Sequence, residues 1–94
     1  MSEQVLNIEL PSDIPTAYAD FASVWHTSDV FVMDFIAMLT PPQPAEGPNG
    51  EQVTASNCRV IQRVKIPPKQ VFELMKALEQ QLSAWESETG QTTG

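Results

Sequence analysis

Apolar and polar residues alternate with a period of two over four stretches of this chain, and a helical period follows them. From Val5 to Leu10, Leu6, Ile8 and Leu10 fall on one side and Val5, Asn7 and Glu9 on the other. This predicts a half-buried strand, ended by Pro11. Ser12 to Thr16 holds an acid and a second proline and reads as a connection. Ala17 to His26 is rich in aromatic and β-branched residues. Its odd positions include Phe21, Ser23 and Trp25, and its even ones Tyr18, Asp20, Val24 and His26. A strand fits better than a helix, because Thr27-Ser28-Asp29 supplies turn chemistry directly before another β-rich run. In that run, Val30 to Leu39, Phe31, Met33, Phe35 and Leu39 oppose Val30, Val32, Ile36 and Met38. Both faces are apolar, so both need cover.

Thr40 to Ser56 contains Pro41-Pro42, Pro44, Gly47-Pro48 and Asn49-Gly50 with little to bury, and reads as a long mobile loop. Alternation returns from Asn57 to Ile66, where Cys58, Val60, Gln62, Val64 and Ile66 oppose Arg59, Ile61, Arg63 and Lys65. One face is apolar and the other basic. Pro67-Pro68 then stops the strand and starts a helix. Val71, Met75, Leu78, Leu82 and Trp85 recur at spacings of four and three, and Phe72, Leu74 and Ala77 broaden the stripe. Lys69–Glu73, Glu73–Lys76 and Lys76–Glu79 are helix-surface neighbours, and Gly90 is a natural stop. A helix over 68–89 spans roughly 33 Å, about the length of a ten-residue strand, so it can lie along the sheet.

The pattern predicts an α+β fold: a four-stranded, mainly antiparallel sheet followed by one long C-terminal helix. A single domain is expected over 1–90, with a flexible loop at 40–57 and a disordered tail at 91–94. One helix covers only one face of such a sheet. The simplest cover for the other is a second copy, so a homodimer or tetramer is expected. Its surface, or that of another protein partner, would draw on Val30, Val32, Ile36, Met38, Met75, Leu82 and Trp85.

Composition narrows the partners. With 94 residues, a formal charge of −7 and a pI near 4.3, the chain is a poor fit to duplex DNA or an anionic membrane. All five basic residues (Arg59, Arg63, Lys65, Lys69 and Lys76) nevertheless lie in one stretch, whereas the first 58 residues carry eight acids. A lone cysteine, no secretory segment and no apolar run long enough to span a bilayer fit a reducing cytoplasm.

Few residues invite chemistry. His26, beside Thr27, Ser28 and Asp29, reads as a turn histidine, since no nucleophile-elbow spacing occurs. Cys58 reads as a buried small apolar residue, because one Cys and one His cannot make a zinc site. Asp34, set among Val32, Phe35 and Ile36, needs a cation; Arg59 or Arg63 could supply it, and Arg63 is the partner adopted. Arg59, Arg63 and Lys65 form a candidate strip for RNA or a phosphate ligand, with Tyr18, Phe21 and Trp25 as stacking partners. Charge matching against the acidic strands is the plainer reading of that strip. No catalytic residue, cofactor or metal is expected. The function predicted is a non-enzymatic protein-interaction module, with weak RNA or phosphate binding as the alternative.

Several segments together resemble a small prokaryotic family known only as a domain of unknown function, numbered 3467. They are Tyr18-Ala19-Asp20-Phe21, Val24-Trp25-His26-Thr27, Phe31-Val32-Met33-Asp34-Phe35, Arg59-Val60 to Arg63-Val64, Ile66-Pro67-Pro68, Leu78-Glu79 and Trp85-Glu86 to Gly90. That resemblance implies no established activity. The order of four strands and a helix also looks like the export chaperone SecB, although this chain is shorter and lacks a second helix. The likeness implies an adaptor or chaperone whose client surface is apolar.

Overall fold

The computed structural model describes residues 3–93. The elements are β1 (Phe21–His26), β2 (Phe31–Met38), β3 (Gln43–Glu46), β4 (Gln52–Ala55), β5 (Cys58–Ile66), a 3₁₀ turn at Pro68–Gln70, and α1 (Val71–Thr89). Strands β1, β2 and β5 form an antiparallel sheet in the order β1-β2-β5, and β3 and β4 form a separate hairpin. The chain is therefore α+β, with antiparallel sheets and one C-terminal helix.

Local chemistry sets the first hairpin. The Thr27 N–H donates to the Val30 carbonyl at 2.9 Å, and Thr27 Oγ1 accepts from the N–H groups of Asp29 and Val30. A hydroxyl that satisfies two turn amides fixes where β1 reverses into β2. At the other end of the pair, the Asp20 carboxylate accepts from the Met38 N–H at 2.7 Å.

Two expectations about elements are corrected. The alternating Val5–Leu10 segment is not a strand, and Leu6, Ile8 and Leu10 are exposed. Alternation identifies a face, but a strand also needs a ladder partner for its backbone groups, and this segment has none among the described residues. The sheet consequently has three strands. The predicted loop at 40–57, in turn, holds the β3–β4 hairpin. Gly47-Pro48-Asn49-Gly50 makes its turn, with the Gly50 N–H donating to the Gly47 carbonyl and Gly50 at φ 80°. A turn closed by a left-handed glycine is a frequent solution for longer hairpins. The Leu39 N–H donates to the Asn57 carbonyl and the Asn57 N–H to Thr40 Oγ1, so the hairpin projects as an arm from the β2–β5 ladder.

A β-bulge sets the faces of the sheet. Phe35 pairs with Gln62, but Ile36 pairs with Val60, which leaves Ile61 as the extra residue on β5. One inserted residue exchanges the two faces for the rest of a strand. The first face carries Phe21, Ser23 and Trp25 of β1, Val32, Asp34, Ile36 and Met38 of β2, and Cys58, Val60, Arg63 and Lys65 of β5. The second carries Val24, His26, Phe31, Met33, Phe35, Gln62, Val64 and Ile66, with Arg59 at one end. The expected division of β5 into one apolar and one basic face is thus overturned.

Helix α1, entered through Pro67-Pro68, keeps the expected end but starts at Val71, three residues later than expected, because Pro68–Gln70 forms a 3₁₀ turn; it ends at Gly90, which sits at φ 70° and donates to the Glu86 carbonyl. It does not lie along its own sheet, and among the described elements only the preceding 3₁₀ turn packs substantially against it. The joint is short, and both proline rings lock φ, with Pro67 extended at φ −67°, ψ 146°. The molecule measures 63 × 39 × 29 Å with a radius of gyration of 18.4 Å, against about 12 Å for a compact chain of this length. Its only fully buried apolar side chain among the described residues is Val32.

Candidate functional site

A polar cluster that joins three strands sits on the first face of the sheet. Asp34 lies mid-strand on β2, and the pairing of β2 with β5 places it directly opposite Arg63. Arg63 Nε donates to Asp34 Oδ1 at 2.6 Å, and an Arg63 terminal nitrogen donates to Oδ2 at 3.0 Å. The Trp25 indole N–H donates to Oδ2 at 3.1 Å from β1. The guanidinium also stands 5.2 Å from the Trp25 ring centroid. A planar cation that grips a carboxylate with two bonds while packing on an aromatic ring is a task for arginine rather than lysine.

Burial and charge agree at this point. Asp34 is 6% exposed, yet its carboxylate is fully hydrogen-bonded. Hydrogen bonds from Arg63 first, and from Trp25 second, hold the Asp34 carboxyl below its ordinary range and outweigh the opposing effect of burial. The same contact pushes Arg63 further up. The cluster ties all three strands of the sheet together. Both of its titratable groups are committed to each other, and that arrangement suits a clamp rather than an acid or a base.

The remaining candidate residues are scattered. Arg59 lies on the opposite face from Arg63 and Lys65, so the basic strip read from the sequence does not exist as one surface. The bulge at Ile61 separates it. Phe21 and Trp25 do share the face of Arg63 and Lys65, whereas Tyr18 precedes β1. His26 ends β1 and stacks on Phe31, with ring centroids 5.4 Å apart. Cys58 is exposed, contrary to expectation, because it opens β5 where the sheet gives way to the arm. Val32 has no exposure and drops out of the expected partner surface, for it lies between Trp25 and Lys65 across the strands.

The other members of that surface are accessible. Met38, Met75, Leu82 and Trp85 are exposed, and Val30 and Ile36 are half-buried. On α1, Met75 and Leu78 are 59% and 63% exposed and fall on one stripe with Leu82 and Trp85. Among the described residues no group of three His, Cys, Asp or Glu side chains is placed to hold a metal ion, and no helix is long and apolar enough to cross a membrane.

Residues 1–93 match the family model described as protein of unknown function (DUF3467). The chain belongs to the DUF3467 family. Membership spans the sheet, the arm and the helix alike, and assigns a role to none of them. No curated protein and no solved structure matches the chain, so the likeness to SecB rests on element order alone.

Proposed function

We propose that this DUF3467 protein is the subunit of a homo-oligomeric, non-enzymatic protein-interaction module, acting as an adaptor or a SecB-like chaperone. The observation that supports it is the exposed apolar stripe of α1 together with an open sheet. The chain exposes 8539 Å², about 3,100 Å² more than the roughly 5,400 Å² expected of a compact 10.4 kDa protein. Monomers rarely leave contiguous apolar patches of more than a few hundred Å² in water. The excess also exceeds the ~800 Å² that each partner contributes to a standard interface.

Two measurements test the proposal. Light scattering after size exclusion, over a wide dilution series, should return a dimer or tetramer that persists at low concentration. The assembled protein, added at stoichiometric amounts to a chemically unfolded client, should suppress aggregation if its role is that of a chaperone. Persistent assembly without suppression selects the adaptor. A single-chain mass at every concentration overturns the self-associating module. The RNA or phosphate reading receives less support, since Arg63 is occupied by Asp34 and Arg59 faces away from it.

A further inference from the structure

We infer that the copies assemble by exchanging helices, with α1 of one chain lying across the second face of its partner's sheet. This rests on the self-association proposed above and specifies its interface. The α1 stripe of Met75, Leu78, Leu82 and Trp85 is exposed, and on the second sheet face Val24 and Val64 are exposed while Phe31, Met33, Phe35 and Ile66 are half-buried. A two-fold exchange covers both at once, because each chain offers one of each and the contacts repeat reciprocally. Pairing helix to helix would leave both sheets open, and pairing sheet to sheet would leave both helices open.

Length, joint and charge favour the same arrangement. Nineteen helical residues span about 28 Å, and the eight and nine residues of β2 and β5 span about 26–30 Å. The Pro67-Pro68 joint holds α1 away from its own sheet, and a short stiff hinge favours exchange over folding back. Helix α1 carries Glu73, Glu79, Glu86 and Glu88 against one lysine, Lys76, while the second face carries Arg59 and no acid. The first face holds the Asp34–Arg63 pair and Lys65, so an apolar stripe docked there would bury committed charges. The surplus of about 3,100 Å², part of which belongs to the exposed residues 3–18 and to the β3–β4 arm, exceeds the ~800 Å² that each partner contributes to a standard interface.

Cross-linking in full-length chains with Cys58→Ser distinguishes the arrangements. One variant adds Leu78→Cys, a second adds Met33→Cys, and a third carries both. After refolding together, the two single variants should give a covalent dimer with a short bismaleimide, and neither should do so alone. The double variant should likewise cross-link between chains. Dimer from Leu78→Cys alone would mean helix-to-helix packing, and dimer from Met33→Cys alone sheet-to-sheet packing; either overturns the exchange. An internal cross-link in the double variant would mean that α1 folds onto its own sheet, and overturns it too. An oligomeric mass without any cross-link rejects the exchange and leaves the module standing. A monomeric mass removes the module itself.

Discussion

At the scale of the residue, Asp34 is where the chain commits most. An acid inside an apolar strand announces that it needs a cation, and Arg63 stands across from it with two hydrogen bonds. The sequence did not point to Trp25, because its indole reaches Asp34 only through the pairing of β1 with β2, which alternation does not specify. Because the Asp34 carboxyl lies below its ordinary value, the pair stabilises the fold above about pH 4, where a free carboxyl is ionised. That contribution fades as pH falls through the lowered value. In Arg63→Met the carboxylate loses its main support and its pKa rises. The thermal midpoint should then fall by several degrees at neutral pH, and the difference from the parent should shrink below about pH 4. Circular dichroism melts at a series of pH values would check this, and a constant difference down to pH 2 would count against the pair.

At the scale of the element, β1, β2, β5 and α1 were legible because each carries an uninterrupted period on one face. The bulge was not. Asn57–Ile66 still alternates on paper with Ile61 counted as a regular position, and only pairing with β2 shows that Ile61 is extra. The arm was hidden by its prolines, although Gly47-Pro48-Asn49-Gly50 is a turn signature in its own right. Two glycines test these readings, since a side chain at positive φ costs about 1 kcal/mol. Gly90→Ala should fray the last turn of α1 and lower helicity slightly. Gly50→Ala should loosen only the arm, which amide hydrogen exchange would show as faster exchange at Gly47, whose N–H donates to the Glu51 carbonyl, with β2 protection unchanged.

At the scale of the whole molecule, the two-sided Val30–Leu39 run says that both faces of the sheet need cover, but it does not say where the helix goes. The sequence placed α1 on its own sheet. The structure instead leaves α1 apart, because nothing in the hydrophobic period encodes the direction in which Pro67-Pro68 sends it. Leu78→Glu puts a charge at the centre of the exposed stripe, at a position that makes no core contact within the chain. It should lower the mass in solution to that of one chain. Unchanged assembly would show that α1 is not the contact.

Helix exchange would also set the timing of folding: each chain would complete its core only on meeting another, so the last step of folding would be bimolecular. Refolding after dilution from denaturant should then slow in proportion as the chains are made scarcer. Until that encounter, each newly made subunit carries its apolar stripe in solvent, and the rate of synthesis decides how long it waits.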